Sequence, residues 1–300
     1  MEKVLVLLST YNGEKYLDEQ LSSLKSQTDV DVDILVRDDG SKDRTNDILD
    51  EWQKDGYLSW YKGENLKPAK SFMHLIYNAP NYDYYAYCDQ DDVWDFDKLK
   101  VAIEIIKKYP ADKETLYSST LKVVDEKLNF LYVKEIRKPY LLGESLIRNN
   151  VVGCTMVFNR KLLETLRTYK PEYIEMHDSW TYRVCIAVGG NAIIDNIPHI
   201  NYRQHENNVF GSSIGKINRI NNRVKLTLSG RSYRCLQTAR ELYQGYRESM
   251  SDRDKRLLLK VISYNKSFKN KIMLILDKDI RVGKLYQKIL FVLDVLMANL

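Results

Sequence analysis

Strands and helices alternate through the first third of the chain, and this order restricts its fold more than any other feature. Val4–Leu8 is a continuous apolar run, as expected for a strand that is covered on both faces. Leu17, Leu21 and Leu24 then recur at helical spacing, and Val32–Val36 is a second strand. This repetition predicts an α/β fold with a mostly parallel, doubly wound sheet, which binds ligands outside the C-terminal ends of its strands.

The alternation continues as far as Pro110. Helices are predicted from about Asp43, over about Ala69–Asn78, and from about Leu99 until the chain reaches that proline. An aromatic strand, Tyr84–Cys88, lies between the last two of these helices. A chain of 300 residues has room for one large α/β domain or for such a domain with an appendage.

Three carboxylates stand within four residues directly after the aromatic strand. The run is Asp-Gln-Asp-Asp, and we call Asp89, Asp91 and Asp92 the acidic cluster. Carboxylates this close repel one another unless a cation neutralises them, and aspartate oxygens suit Mg²⁺ or Mn²⁺, which usually bind one or two carboxylates together with substrate phosphates. The cluster therefore predicts a site for a metal and a diphosphate, and the alternative is an acidic turn after a strand.

Polar segments also follow the first two strands. They are Ser9–Asn12 and Asp38–Ser41, and both should meet the acidic cluster in one crevice at the C-terminal edge of the sheet. By itself, Asp38–Ser41 is more typical of a turn and a helix cap than of a ligand site. The sequence has neither a G-x-G-x-x-G after the first strand nor a G-x-x-x-x-G-K-[ST], so dinucleotide-binding and P-loop interpretations lack the glycines that cradle phosphates.

Four ordered segments carry a resemblance to a known family. Ser9–Gly13, Leu24–Gln27, Val36–Ser41 and the acidic cluster together resemble the inverting family 2 nucleotide-sugar glycosyltransferases of GT-A fold, from about residue 3 to residue 210. The resemblance implies a GT-A catalytic domain over residues 1–210, a nucleotide-sugar donor, a saccharide or lipid-linked acceptor, and Mn²⁺ or Mg²⁺ as cofactor.

The resemblance also assigns donor contacts. Thr10, Tyr11, Asn12 and Asp39 would bind the nucleotide, with Asp39 accepting a hydrogen bond from a pyrimidine N3–H. In the acidic cluster, Asp89 and Asp91 would form the D-x-D pair, with Asp91 the more direct metal ligand and Asp92 orienting its neighbours.

One loop departs from the family pattern. After Asn65 and Leu66 many relatives carry a glycine, where this chain has Lys67 and Pro68. The proline stiffens the loop before the next helix, and a donor contact by Lys70 depends on how that loop is held.

The resemblance makes Asp178 the general base. An inverting transfer needs a group that takes the proton of the acceptor hydroxyl as its oxygen attacks the sugar carbon. The sequence also allows a purely structural role, because Asp178 precedes a helical pattern and could serve as its N-cap. The two roles are compatible, since a cap uses one carboxylate oxygen.

A second polar segment, Tyr202–Val209, concentrates Arg, His and amides. His205 could be a third metal ligand or a diphosphate donor, and Arg203 could neutralise phosphate charge; the alternative is a solvated polar loop. Together with Gly153–Arg160 and His177–Trp180, the segment resembles the bacterial rhamnosyltransferase-like branch of the family, which generally uses dTDP-L-rhamnose to extend cell-surface polysaccharides. The residues expected to contact the diphosphate or the acceptor are Arg203, Gln204, Trp94, His177, Trp180, Cys154 and Thr155.

The last ninety residues differ in charge from the rest. Residues 211–300 contain 19 Lys and Arg against 7 Asp and Glu, although the net charge of the whole chain is only +5. We predict a junction near Gly211–Gly215 and a basic, helical C-terminal extension over residues 211–300. Its apolar stripe would either pack on the chain's own domain or, helped by the positive charge, lie on an anionic membrane surface. The stripe consists of Leu285, Ile289, Val292, Leu293 and Leu296.

Other classes of function fit less well. A nucleotidyltransferase or phosphotransferase could use the acidic cluster but would give Asp178 and Arg203 no role, and a UDP-hexose is the alternative donor. No nucleic-acid partner is expected, because the basic extension lacks a recognition motif.

The N-terminus lacks the features of a signal peptide, no apolar run reaches ~20 residues, and the four scattered cysteines suggest thiols in a reducing compartment. We expect a bacterial cytoplasmic enzyme, peripheral on the inner face of the plasma membrane, and a homo-oligomer remains open.

Overall fold

The computed structural model describes residues 1–134, 138–149, 151–205, 234–280, 282–283 and 285–300. Its strands are β1 (Glu2–Thr10), β2 (Val30–Asp38), β3 (Ser59–Lys62), β4 (Tyr84–Cys88), β5 (Val93–Trp94), β6 (Thr115–Ser119), β7 (Leu121–Val124), β8 (Phe130–Lys134), β9 (Val157–Asn159), β10 (Asn191–Asp195) and β11 (Ile200–Arg203). Its α-helices are α1 (Leu17–Lys25), α2 (Thr45–Lys54), α3 (Lys67–Asn78), α4 (Lys98–Ile106), α5 (Leu142–Ile147), α6 (Arg160–Arg167), α7 (His177–Ala187), α8 (Arg234–Tyr246), α9 (Asp252–Ser263), α10 (Phe268–Ile275) and α11 (Leu285–Leu296).

A seven-stranded sheet forms the centre of the fold. Its strand order is β10-β6-β9-β4-β1-β2-β3, and only β9 runs antiparallel to its two neighbours. The predicted α/β fold with a mostly parallel sheet and flanking helices is confirmed. A second, four-stranded sheet of order β5-β11-β7-β8, which the sequence pattern did not predict, follows the acidic cluster.

Helices cover both faces of the central sheet because β1 is apolar on both. Val4 and Val6 pack with α1 on one face, whereas Leu5 and Leu7 pack with α3 on the other. Successive side chains of a strand point to opposite faces, so a continuous apolar run fits a strand buried on both sides. The predicted strands and helices of this half are present, with boundaries moved by a few residues.

The C-terminal helices share the core of the first half. Leu236, Leu258, Leu274 and Val295, from α8, α9, α10 and α11, belong to the same buried cluster as Leu5 of β1. The junction predicted near 211–215 lies outside the described residues. In the described residues no helix is both long and apolar enough to cross a membrane.

The apolar stripe on α11 faces away from the protein. Leu285 and Ile289 are 74% and 54% exposed, whereas Phe291 and Val295 on the other side of the helix are buried. The helix therefore does pack on the chain's own domain, as one of the two interpretations expected, but through Phe291 and Val295 rather than through the exposed Leu285 and Ile289.

Candidate functional site

The polar segments at the strand ends meet in one large cavity. It has a volume of about 800 Å³, and its wall includes Thr10 at the end of β1, Asp39 after β2 and Asp89 after β4. Asp178, in the first turn of α7, lines the same cavity. The crevice expected at the C-terminal edge of the sheet is thus present, and Asp178 opens onto it.

Asp38 organises the two strand ends without reaching the cavity wall. Its carboxylate accepts hydrogen bonds from the N–H groups of Gly40 and Ser41 at 3.1 and 2.9 Å, and from Thr10 Oγ1 at 3.2 Å. Asn12 joins the same loops, because its N–H donates to Ser41 Oγ at 2.9 Å. Asn12 is absent from the described cavity wall, so its position fits a loop-bracing role rather than the predicted nucleotide contact.

Asp39 is fixed at the cavity wall by two partners. Its carboxylate forms an ion pair with the buried Arg37, and Oδ2 accepts a hydrogen bond from the N–H of Leu66 at 3.0 Å. Arg37 also donates to Ser71 Oγ at 3.1 Å and to the carbonyl of Glu64 at 2.9 Å, and burial lowers its pKa. A held carboxylate of this kind presents a hydrogen-bond acceptor in a defined direction.

Tyr11 and Gln90 connect the first strand end to the acidic cluster. The N–H of Tyr11 donates to Gln90 Oε1 at 2.8 Å, and Gln90 Nε2 donates to the carbonyl of Tyr11 at 3.1 Å. Both residues line the cavity, and the Tyr11 side chain is exposed there. The role of Gln90 was missed in the sequence, where it is only the spacer within the acidic run.

The loop that departs from the family pattern has an unusual backbone. Lys67 adopts a φ of 64°, in the left-handed region where glycine is favoured. Lys67 and Pro68 line the cavity, whereas Lys70 is exposed and is not part of the described wall. The predicted donor contact by Lys70 does not fit this geometry, because the helix turn carries its side chain outward.

The acidic cluster has the donor set of a site for a divalent cation. One ligand atom each of Asp89, Asp92 and Cys154 lies within 4.8 Å of the others. Burial, followed by the nearby carboxylates, raises the pKa of Asp89 to about 7 and that of Asp92 well above its usual range. Asp92 Oδ2 receives no N–H or O–H hydrogen bond from the described residues. Crowded carboxylates with raised pKa values fit a bound cation, because a cation would favour their ionised forms.

His205 contacts the predicted metal ligand Asp91 directly. His205 Nε2 lies 2.8 Å from Asp91 Oδ2, and the His205 ring packs on Tyr16 with the ring centres 5.1 Å apart. The structure thus brings the two together, and metal binding by His205 stays a prediction. Gln204 braces the adjacent backbone, since its N–H donates to the carbonyl of Val124 at 2.8 Å, and it is not part of the described wall.

Arg203 supports the acidic cluster from inside the protein. It is buried, and its guanidinium donates to the carbonyls of Asp91 and Glu126 at 2.9 and 2.6 Å and to the carboxylate of Glu19. Its own N–H donates to Asp92 Oδ1 at 3.0 Å. Protein acceptors engage the guanidinium and Arg203 is not part of the described cavity wall, so the phosphate contact stays a prediction that this geometry does not support.

A buried lysine lies behind the cluster. The ammonium of Lys98 is 3.0 Å from the centre of the Trp94 ring, and burial lowers its pKa to about 7. Cys88 and Asp92 are among the groups that act against this shift. Trp94 is itself buried, its ring packs on Lys98, and it is not part of the described cavity wall. The ligand contact by Trp94 therefore stays a prediction that this geometry does not support.

Asp178 is a buried carboxylate at the start of α7. The helix has Met176 at its N-cap position, so the N-cap role predicted for Asp178 is wrong by two residues. The Asp178 carboxylate instead accepts a hydrogen bond from the N–H of Ser179, and burial raises its pKa to about 6. A carboxylate with this pKa is ionised at neutral pH and is a stronger base than an exposed aspartate.

His177 stands beside Asp178 in an aromatic environment. Its ring stacks on Phe72 with ring centres 3.9 Å apart and meets the edge of Tyr87 at 4.7 Å. Burial lowers its pKa to about 3, so the ring is neutral, and neither ring nitrogen has a hydrogen-bond partner among the described residues. His177 lines the cavity as predicted for a ligand contact, but Trp180 is buried in the core against Tyr246 and does not.

The segment before β9 is a short 3₁₀ helix, Gly153–Thr155. Cys154 and Thr155 are fully buried, and Thr155 Oγ1 bonds with Ser118 Oγ and with the carbonyl of Val152 at 2.7 and 2.8 Å. Val152 and Gly153, rather than Cys154 and Thr155, are part of the described cavity wall, so the acceptor contacts by Cys154 and Thr155 stay predictions that this geometry does not support. Asn150, three residues before this 3₁₀ helix, lies outside the described residues.

Gly153 allows His177 to approach the backbone closely. A Cβ at position 153 would lie 2.6 Å from His177 Nε2 and 3.5 Å from the Cβ of Asp178. We expect Gly153→Ala to displace the His177 ring, which stands beside Asp178 on the cavity wall, and to lower kcat by about 10²-fold, because a shift of ~1 Å in the active site has an effect of this size.

Steady-state transfer assays and circular dichroism measure the effect of Gly153→Ala. Gly56→Ala is the control, since Gly56 has a φ of 79° and no atom within 4 Å of a new Cβ. The control should lower the melting temperature without changing kcat. An unchanged kcat in Gly153→Ala would show that the spacing at this position is not critical.

The far wall of the cavity comes from the C-terminal helices. Phe291 of α11 and the terminal Leu300 line it, together with Arg234 at the start of α8. Arg234 forms an ion pair with Glu175 at 3.0 Å, which joins α8 to the loop before α7. No pattern in the sequence indicated this wall, since its residues lie more than 50 positions beyond Asp178.

Comparison with known proteins identifies the family. Residues 5–167 match the model of Glycosyl transferase family 2. The chain belongs to this family. It is a glycosyltransferase, and the cavity formed by the strand ends, the acidic cluster and Asp178 is its candidate active site.

Individual proteins that are similar to this chain are glycosyltransferases as well. The dTDP-rhamnosyl transferase RfbG of Shigella flexneri is 31% identical over 236 residues, which cover 69% of this chain and 74% of RfbG. The UDP-Glc:alpha-D-GlcNAc-diphosphoundecaprenol beta-1,3-glucosyltransferase WfgD of Escherichia coli is 25% identical over 161 residues, 53% of this chain and 61% of WfgD. The crystal structure of S. aureus TarS 1–349 with UDP-GlcNAc superposes with a TM-score of 0.60 at 17% identity and covers 99% of this chain and 81% of TarS 1–349. The GT-A fold expected from the sequence is confirmed.

Proposed function

We propose that this enzyme transfers L-rhamnose from dTDP-L-rhamnose, with inversion, to a growing bacterial cell-surface polysaccharide. The observation that carries the proposal is the placement of a basic carboxylate, Asp178, and the D-x-D pair, Asp89 and Asp91, on the wall of one cavity. The donor is supported by the 31% identity to a dTDP-rhamnosyl transferase. Asp39, held at the wall by Arg37, is positioned to accept a hydrogen bond from the N3–H of thymine.

The residues of the cavity account for the chemistry. Asp178 takes the proton of the acceptor hydroxyl while the hydroxyl oxygen forms a bond to C1 of the sugar. The bond from C1 to the diphosphate breaks on the opposite face, and the proton remains on Asp178 as the nucleoside diphosphate leaves. The neutral His177 beside it cannot repel a cationic transition state and does not compete for the proton.

The ligands that we propose for Mn²⁺ or Mg²⁺ are the carboxylates of Asp91 and Asp89, with His205, which contacts Asp91, as a third candidate. The described atoms that lie within 4.8 Å of one another come instead from Asp89, Asp92 and Cys154. Such an ion supplies electrostatic stabilisation of the negative charge that develops on the leaving diphosphate. The protein's own contribution is to hold Asp91, through its contact with His205, and to hold Asp92, through the N–H of Arg203.

We infer that the acceptor is a saccharide carried on a lipid and that transfer takes place in the cytoplasm, at the inner face of the plasma membrane. The name of WfgD specifies a diphosphoundecaprenol-linked acceptor, which supports this class of substrate. Such an acceptor would enter along the wall that the C-terminal helices form, on the side of Asp178.

A panel of nucleotide sugars tests the donor. In a thermal-shift assay with Mn²⁺ we expect dTDP-L-rhamnose to raise the melting temperature most, since a ligand at 100 times its Kd stabilises the fold by ~2.7 kcal/mol. The shift should shrink when EDTA replaces Mn²⁺. A larger shift with a UDP-hexose would overturn the rhamnose donor, and no shift with any nucleotide sugar would overturn the proposed activity.

A further inference from the structure

The outer surface of α11 is apolar although it is exposed. Leu285, Ile289 and Leu293 follow one another at intervals of four residues on this surface, and Leu293 is 42% exposed. The inner side of the helix is apolar as well, with Phe291 and Val295 buried. A helix with apolar residues on two opposite sides normally has a partner on both, and in the described residues the outer side of α11 has none.

The neighbouring helix α10 repeats this pattern. Phe268, Ile272 and Leu276 also lie four residues apart, and Phe268 and Leu276 are 70% and 73% exposed. The two helices pack together, and Lys271 of α10 donates to the carbonyl of Leu296 at the end of α11 at 2.5 Å. We call Phe268, Ile272, Leu276, Leu285, Ile289 and Leu293 the apolar face. Exposed patches of this kind usually mark a surface that binds another molecule.

The charges around the apolar face are positive. Lys266, Lys269, Lys278 and Lys288 are exposed on the same two helices or next to them. The acidic residues of this region are engaged or buried: Asp277 pairs with Lys260 at 2.5 Å, Asp279 pairs with Arg253, and Asp294 is buried. An apolar stripe between lysines is the pattern of a helix that lies on an anionic lipid surface.

The length of α11 excludes a membrane-spanning role and favours an in-plane one. Its twelve residues make a helix about 18 Å long, well short of the ~30 Å hydrocarbon core of a bilayer. The opposite side of the same helix contributes Phe291 to the cavity that contains Asp178. A helix lying on the membrane through its outer side would therefore place the cavity next to the lipid surface.

We propose that the apolar face docks on the anionic surface of a lipid bilayer and brings the cavity within reach of a lipid-carried acceptor. The usefulness of this arrangement rests on the proposed function, because only an acceptor held in the membrane needs the enzyme to dock there. The docking itself depends only on the apolar face and its lysines.

Co-sedimentation of the full-length protein with vesicles tests the docking. We expect binding to vesicles that contain phosphatidylglycerol, weaker binding as salt rises, and little binding to pure phosphatidylcholine. Ile289→Gln combined with Leu293→Gln should weaken binding by more than about tenfold, because two apolar side chains are no longer buried in the lipid. Ile197→Gln is the matched control, since Ile197 is 61% exposed on the turn before β11, and it should bind like the parent.

Further measurements separate the outcomes. Neither Ile289 nor Leu293 lines the cavity, so release of nucleoside diphosphate from a soluble donor should be the same in the double variant and the parent. Equal binding to both kinds of vesicle, or to neither, would overturn the docking. A dimer on size-exclusion chromatography that the double variant disrupts, without vesicle binding by the parent, would make the face a contact between two copies. Vesicle binding without turnover of any nucleotide sugar would leave the docking standing and overturn the proposed function.

Discussion

Replacing Asp178 with Asn is expected to lower kcat by ~10²–10⁴ and to leave donor affinity almost unchanged. The amide has the size of the carboxylate and still accepts a hydrogen bond from the N–H of Ser179, so the start of α7 should stay in place. It cannot take the proton of the acceptor hydroxyl. Single-turnover transfer and donor titrations, measured on the same preparation, separate the loss of chemistry from a loss of binding.

Glu175→Gln is the matched control for Asp178→Asn. Glu175 lines the same cavity only three residues away, and its carboxylate is paired with Arg234. The control should keep most of its turnover, because removing a charge from the cavity does not remove the base. Equal losses in the two variants would contradict the assignment of Asp178 as the base.

The pH dependence of the reaction gives a second test of the same assignment. Burial raises the pKa of Asp178 from 3.8 to about 6, so kcat/KM of the parent should fall as pH drops below about 6. The folded state holds this proton more tightly than the unfolded state. The group's contribution to stability is therefore full below pH 3.8 and is lost as pH rises through about 6. Asp178→Asn has no carboxylate to ionise at this buried position, so its stability does not fall as pH rises through about 6. At pH 8 the melting temperature of the variant should therefore be no lower than that of the parent.

The alternation of strands and helices was sufficient to predict the central sheet. In β1 each residue from Val4 to Leu8 is apolar because helices cover both faces, and such a run leaves few alternatives once helical patterns flank it. The small second sheet was not predictable in the same way. Its strand β5 has only two residues, too few to show a pattern. Strand β8 has an apolar run, Phe130–Val133, but it is exposed along its whole length, so the run does not mark a buried strand.

The candidate site shows what local sequence could and could not indicate. Asp39 and Asp89 were predicted to share a crevice because parallel strands end at one edge of the sheet, whereas Asp178 was assigned to the site by the family resemblance alone. All three line the cavity. Arg203 has the chemistry of a phosphate ligand, but three protein acceptors engage its guanidinium. Whether a donor faces a ligand or the protein's own carbonyls depends on contacts with distant segments, which spacing along the chain does not reveal.

Lys98 is a second side chain whose surroundings the local sequence does not indicate. In the sequence it is one lysine at the start of a helix, where an exposed position is the ordinary expectation. Packing places its ammonium inside the protein, against the Trp94 ring and behind the acidic cluster. Burial lowers the pKa of Lys98 to about 7, and the nearby Asp92 and Asp89 only partly oppose this shift. The pattern of the helix indicates neither the burial nor these neighbours.

Asp91→Asn should reduce transfer to background while leaving the fold intact. Asp91 lies beside Asp89 and Asp92, and removing one charge relieves repulsion in the protein without a bound cation. The amide can still meet His205, which lies 2.8 Å from the Asp91 carboxylate, so local packing should survive. What is lost is a charged ligand, and with it the neutralisation of the leaving diphosphate. Transfer assays over a Mn²⁺ titration, with circular dichroism as the check on folding, measure the effect.

A carboxylate outside the cluster provides the comparison for Asp91→Asn. Asp97 contacts His199 Nδ1 at 3.1 Å and is not part of the described cavity wall, so Asp97→Asn should keep the parent's Mn²⁺ response. High Mn²⁺ should restore little activity to Asp91→Asn. A higher concentration of the ion does not replace the missing carboxylate ligand, on which the leaving diphosphate depends. Full activity of the parent protein in EDTA would sink the metal-dependent mechanism, and the acidic cluster would then need another role, such as anchoring the loop that carries Gln90 to Tyr11.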